Sequence, residues 1–304
     1  MRISPELTQV VLNALNVSDQ AEQTALQQMT TGRRVNQDSD DPAAAAQEVG
    51  IAFQMDSCDQ YLRSIGGIES ELQTADSSLN SAVTALQQAI SLGVEGANGT
   101  LSQQNRDTLA AEVTGISQQI LGVANLSYNG HYVFAGTADS QPPYVANPNS
   151  PGGIEYQGND NTNSVEINSG QSVVVNQPGS ALFSASGANV FQALSDLVTA
   201  LQDPNATTDE IGSATTELRG AFDQLTSART FYGSTIDQLN SAQDVLNSEN
   251  VQLSQQQNNV VGVDLNVAAT NLTNAEEARN ATVQAAATMN DLSLMDYLTP
   301  TTTA

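Results

Sequence analysis

Apolar residues recur at helical spacing along most of this chain, and the helices they predict are matched from the two ends inward. Residues 5–30 and 265–297 both read as Ala-rich amphipathic helices of similar length, with 43–92 and 207–254 as a second matched pair inside them. The first helix carries Ile3, Leu7, Val10, Ala14, Val17 and Ala21, alternately four and three residues apart. This coiled-coil-like seam fades at Thr24 and Gln28. The last helix carries Leu265, Ala268, Leu272, Ala275, Ala278, Ala285, Met289 and Leu292, and Met295 extends its apolar end. A chain with matched helices at its ends pairs those ends, so the pattern predicts a rod-shaped building block rather than a container for an active site.

Between the ends, the polar turn Thr30–Pro42 offers Asp41 as a helix N-cap and Pro42 as the first helical residue. Proline lacks an N–H that has no partner there anyway, and the Asp41 carboxylate can accept from the first turn. The helix that follows keeps Leu62, Ile65, Ile68, Leu72, Ala75, Leu79, Val83, Leu86 and Ile90 on one stripe, and breaks around Gly93–Gly99. At 1.5 Å per residue, 43–92 spans roughly 75 Å. Residues 103–127 form its hairpin partner, carrying Leu109, Val113, Ile116, Ile120 and Val123. The period then changes. His131–Gly136, Ile154–Tyr156, Val165–Ile167 and Ser172–Val175 are short runs bounded by Gly, Pro, Asn and Asp, and they predict strands and hairpins. Helical spacing resumes at Val190, Leu194, Leu197 and Leu201. The second long helix carries Ile211, Leu218, Leu225, Tyr232, Leu239 and Leu246, with an interruption predicted at Asn258–Asn259 and Gly262.

The expected fold is therefore mainly α. It is an elongated helical bundle with paired N- and C-terminal coiled-coil helices and a small β-rich insertion. Residues 1–40 and 260–304 form the terminal coiled coil, 41–130 and 186–259 the bundle, and 131–185 the insertion. No fixed-period repeat is present, which excludes a solenoid.

Charge narrows the partners. The chain has 33 acidic residues against 8 basic ones, all Arg, for a net charge of −25. A polyanion repels phosphates, so nucleic acid and anionic membrane surfaces are not expected partners. No apolar run of about 18 residues exists to span a membrane, and the N-terminus lacks a cleavable signal pattern. Candidate chemistry is sparse. Asp38, Asp40 and Asp41 fail as a calcium loop, because the positions that need a turn glycine and a closing acid hold Ala43 and Val49. His131 is the only histidine, so no His-based cluster is available. Cys58 lies between Asp56 and Asp59, which disfavour a thiolate. Phosphate-cradling Gly-Lys motifs are absent because the chain has no Lys. No catalytic residue, cofactor or metal is expected, although sugar or surface binding by the insertion stays open as a second class of function.

Several segments, in order, resemble the flagellin superfamily and in particular its hook-associated junction branch. They are Met1–Ser4, GRRVNQDSDDPAAAA (Gly32–Ala46), ANGTLSQQNRDTLAAEV (Ala97–Val113), NGHYVFAGT (Asn129–Thr137), YQGNDN (Tyr156–Asn161), VNQPGSALF (Val175–Phe183) and NDLSLMDYL (Asn290–Leu298). The tail Thr299–Ala304 departs from the family's usual end and reads as disordered. The resemblance implies a non-enzymatic axial component of the bacterial flagellum that self-assembles as a ring between hook and filament. Its partners would be copies of itself, a larger hook-associated protein on the hook side, flagellin on the filament side, and a cytoplasmic export chaperone on the C-terminal helix. The terminal helices would form the inner core, the bundle the next shell, and the β-rich part would face outward. Export would use the flagellar type III route without a cleaved signal peptide, giving an extracellular location. The alternative within the superfamily is a flagellin that builds the filament itself.

Overall fold

The computed structural model describes residues 5–298, with side chains described for 9–288. Helix α1 spans Pro5–Thr31, α2 Pro42–Gly96 and α3 Gln103–Ala124. Four small antiparallel hairpins follow among the described residues. They pair β1 (Ser127–Tyr128) with β2 (His131–Tyr132), and β3 (Tyr144–Ala146) with β4 (Ile154–Tyr156). Next come β5 (Ser164–Asn168) with β6 (Gln171–Val174), and β7 (Ser184–Ala185) with β8 (Ala188–Asn189). A short helix α4 (Gly179–Phe183) precedes β7, and α5 (Val190–Gln202), α6 (Thr208–Val261) and α7 (Leu265–Leu298) complete the chain. The fold is mainly α with a small β insertion. Two compact units divide it: one contains the residues up to Ser57 and from Ser248 on, the other Cys58–Asn247. The insertion and the bundle helices share the second unit.

In the Cys58–Asn247 unit the predicted stripes are the core. Ile65, Leu72, Leu79 and Leu86 of α2, Val113 and Ile120 of α3, and Leu218, Leu225 and Leu239 of α6 are all essentially inaccessible to solvent. Helices α3 and α5 pack together, and α5 buries Val190, Leu194, Leu197 and Leu201. Arg229 of α6 reaches across to α2. Its Nε lies 2.9 Å from Asp76 Oδ1 and its Nη1 donates to Asn80 Oδ1 at 2.8 Å. This forked contact sets the antiparallel register of the two helices.

The base of the insertion is aromatic. Phe134 meets Phe183 edge-on at 5.6 Å and Tyr232 at 6.5 Å, while Tyr144 packs on Tyr156, Phe183 and Phe191. Such edge-to-face contacts add to the stabilisation from burial itself. This cluster explains two departures from the predicted elements. The run His131–Gly136 pairs as a strand only at His131–Tyr132, because Val133, Phe134 and Ala135 turn inward and are buried. The segment at Gly179, predicted as the end of the β region, is instead a turn of helix laid on the cluster. Its N–H donates to the Phe134 carbonyl at 2.7 Å, and a Cβ there would come within 2.8 Å of that oxygen. Glycine is required at that approach.

A third departure lies in α6, which runs through Asn258–Asn259 to Val261 without a break. Gly66 and Gly67 sit inside α2, and an added Cβ on either would meet nothing within 4 Å.

Two outcomes follow from this packing. Leu79→Ala and Leu225→Ala each remove a fully buried side chain and should each cost about 2–5 kcal/mol, read as a lower urea midpoint at unchanged slope. Glu71 tests the electrostatics of the same core. Burial raises its carboxyl pKa above the ordinary 4.5, with His131 opposing that rise and Asp139 adding to it. A raised folded value means that ionisation favours the unfolded chain. The cost is fully present above the folded value and disappears as pH falls below 4.5. Glu71→Gln should therefore raise the urea midpoint at neutral pH and match the parent about one unit below the ordinary carboxylate value.

Candidate assembly interface

In the unit formed by the two ends, α1 and α7 pack against each other. The side of α1 turned to α7 holds Val11, Leu15, Ser18, Asp19, Glu22 and Ala25, which are buried or half-buried. From α7, Ala268 and Ala275 are buried, with Leu272, Thr282 and Ala286 half-buried. Apolar area in this contact is thin, since most of it comes from Ala and three branched side chains, Val11, Leu15 and Leu272. A charged clamp supplements it: Arg279 Nε lies 2.7 Å from Asp19 Oδ1 and 3.5 Å from Glu22 Oε2.

The seam expected from the sequence is one residue out of phase with this contact. Val10, Ala14, Val17 and Ala21 are exposed, Val10 at 64% and Val17 at 67%, on the face of α1 that flanks the α7 contact. The reason is chemical. The contacting set 11, 15, 18, 22 and 25 has the same alternating spacing, but Ser18 and Glu22 interrupt its apolar character, so apolar counting passes it over. Glu22 belongs in the contact because its charge is met by Arg279. On α7, Ala268, Leu272 and Ala275 face the pair, whereas Leu265 and Ala285 are exposed. Ile3 lies outside the described residues, as do Thr299–Ala304 and the side chains of Leu7, Met289, Leu292 and Met295. Beside the pair runs an open groove of about 710 Å³ lined by Val17, Ala21, Thr24, Asn271, Asn274 and Ala278 among others.

A backbone clasp fastens the inner ends of the two helices. Arg34 N–H donates to the Val261 carbonyl at 2.7 Å, and Val263 N–H to the Gly32 carbonyl at 3.1 Å, across an antiparallel bridge between Arg33 and Gly262. Gly32 turns into it at φ +69°. The Arg34 guanidinium donates to the Val260 carbonyl at 3.0 Å and to Asp41 Oδ2 at 3.1 Å, while Arg33 pairs with Glu48. Val35, Ala44 and Val261 close over the clasp as a small apolar cluster.

Asp41 has a second task here. Its Oδ1 accepts from the Ala44 N–H at 3.1 Å, and α2 begins at Pro42. That backbone hydrogen bond, with the Arg34 contact next, holds the Asp41 carboxyl below its ordinary pKa. Asp40 Oδ2 accepts from Asn36 and Gln37 N–H at 2.9 and 3.0 Å. The aspartates thus serve as caps, and among the described residues no His, Cys, Asp or Glu grouping is arranged to hold a metal ion. His131 lies 3.0 Å from Asp139 on an exposed hairpin, and Cys58 is buried in α2. Among the described residues no grouping of His, Cys, Asp and Glu suited to a metal ion accompanies them.

Sequence reasoning missed the clamp and the clasp. Their signal lay in the charge count: with only 8 Arg and no Lys in the chain, each arginine stands out, and the side chains of Arg34 and Arg279 both join segments far apart in sequence.

Comparison with known proteins agrees with this architecture. Residues 6–139 match the family model of the bacterial flagellin N-terminal helical region. Flagellar hook-associated protein 3 of Escherichia coli K12 is 30% identical over 60% of this chain and 61% of its own length. The same protein of Salmonella typhimurium is 30% identical over 67% of this chain and 68% of its own. The chain thus spans 61% of the length of the first of these relatives and 68% of the second. In fold it is similar to the flagellar junction protein FlgL from Legionella pneumophila, with a TM-score of 0.59 at 15% identity over 71% of this chain and all of that one. No helix among the described residues is long and apolar enough to cross a membrane. With an outward apolar stripe on paired end helices and 30% identity over two thirds of both lengths, the chain belongs to the flagellar hook-associated protein 3 family.

Proposed function

We propose that this chain is a non-enzymatic structural subunit that assembles with copies of itself into a ring at the hook–filament junction. There it joins the larger hook-associated protein on the hook side to flagellin on the filament side. It is exported by the flagellar route, acts outside the cell, and before export is held by a cytoplasmic chaperone at its C-terminal helix. Residues 1–40 and 260–304 make the inner contacts of the ring, 41–130 and 186–259 the next shell, and 131–185 its outer part.

The observation that carries this reading is the exposed apolar stripe Val10, Ala14, Val17 and Ala21 on α1, with an open groove alongside. A thin pair of Ala-rich helices held by one ion clamp buries little apolar area alone, and further helices from neighbouring copies supply the missing surface. The family relationship favours the junction over the filament, since the two relatives matched over 60% and 67% of the chain are both hook-associated proteins. That sets aside the flagellin alternative. An enzymatic or adhesive role for the insertion has no convergent residues to support it.

Val17→Glu tests the stripe without touching the α1–α7 contact or the clamp. Burying an unpaired carboxylate between copies costs well over the 1.4 kcal/mol that makes a factor of ten, so filament-bearing cells should fall by roughly tenfold or more. The variant chain and unpolymerised flagellin should both appear in the medium, and purified protein should keep the parent's far-UV circular dichroism. Normal filament numbers with this variant would show that the stripe is not an assembly surface.

A further inference from the structure

Helix α2 carries glycines of two kinds. A Cβ added at Gly93 would strike Thr215 and Leu197, and one at Gly96 would strike Leu201, so close packing against α5 and α6 requires both. Gly66 and Gly67 have no such cause, because an added Cβ at either meets nothing within 4 Å. Glycine in a helix interior loses more backbone freedom on folding than alanine does, and here the loss falls twice within one turn. The turn is also loosened by one of its own side chains. Ser70 Oγ donates to the Gly66 carbonyl at 3.0 Å and competes with the backbone for that oxygen. Ser57, Thr74, Ser81 and Thr84 make similar bonds along α2, but among these only Ser70 meets the carbonyl of a glycine. The flanks, by contrast, are held: Ile65 and Leu72 are buried in the core, and Asp76 pairs with Arg229.

We infer that Gly66–Gly67 is a built-in bending point of α2, where one turn opens and recloses while the core on either side stays packed. Helices bend at Gly and Ser positions and where a side chain engages the backbone ladder, and this turn combines the two. In the structure α2 is one unbroken helix from Pro42 to Gly96, so the doublet supplies compliance rather than a fixed kink. Two glycines in one turn make its opening roughly 5–30-fold more frequent than that of a matching alanine turn. The use of that compliance rests on the ring proposed above. A copy can then follow the curvature its neighbours impose without repacking Leu72, Leu79 or Leu86. Room for a neighbour's backbone is the competing reason for small residues. Consecutive positions point to different sides of a helix, however, whereas a close approach needs them three or four apart.

Hydrogen exchange on the purified monomer tests the opening apart from assembly. After correction for intrinsic rates, the amides of residues 67–71 should exchange faster than those of 72–86. Gly66→Ala together with Gly67→Ala should slow them by roughly 5–30-fold. The same double variant should raise the urea midpoint, yet filament-bearing cells should fall by a comparable factor. A new doublet at the neighbouring exposed positions, Arg63→Gly with Ser64→Gly, should restore filaments in that background. Exchange at 67–71 as slow as at 72–86 in the parent overturns the bending point. So does a full filament count from the double-alanine chain. Failure of the moved doublet to restore filaments overturns it too, and gives the glycines to a neighbour's close approach instead. If the parent chain itself supports no filaments, the ring falls, while the exchange result still decides whether the turn opens.

Discussion

Pairing the two ends is the constraint on which the rest of this chain depends. The Arg34 side chain and the Val260 carbonyl that it meets are 226 residues apart, so everything between must leave and return to the same place. The entropy of closing so long a loop grows only slowly with length, but it must still be offset. The α1–α7 contact offers mostly Ala to offset it, supported by Val11, Leu15 and Leu272. Directional contacts make up part of the difference: the Arg279 clamp, the Arg33–Gly262 bridge, and the guanidinium of Arg34 shared between Val260 and Asp41. These fix register, which thin Ala surfaces do not.

The middle of the chain closes by different means. There the long stripes of α2 and α6 bury Leu and Ile at nearly every turn, and an aromatic cluster at the base of the insertion ties α6 to the hairpins through Tyr232 and Phe134. The contrast between a Leu-rich core and Ala-rich ends has a plain physical meaning. The core satisfies itself, whereas the end helices keep Val10 and Val17 in water.

Legibility in the sequence followed the same divide. The long helices were readable, apart from the end of α6, to within a few residues because their stripes repeat over many turns and are buried, as Leu72, Leu79 and Leu86 show. The strand at Ile154–Tyr156 was readable because Gly residues bound a short run in which apolar and polar positions alternate. What was not readable depended on contacts distant in sequence. The α1 face that meets α7 was missed because a Glu balanced by a distant Arg looks like a solvent residue. The turn of helix at Gly179 was missed because its cause is the Phe134 carbonyl, 45 positions back. Local pattern records propensity, and in these places tertiary partners decided the outcome.

The arginines carry one more consequence. Arg33, Arg34, Arg229 and Arg279 are engaged with acids of their own chain, and Arg106 with Gln103 and the Ala206 carbonyl. Much of the cationic charge is thus matched within the chain, and the charge left over is strongly anionic, wrapped in an atmosphere of small cations. In the ring proposed above, bringing such copies into register would crowd their fields and deepen that atmosphere, so joining would be coupled to net cation uptake. In linkage terms, sodium or magnesium in the surroundings is a reactant in assembly as much as the protein itself.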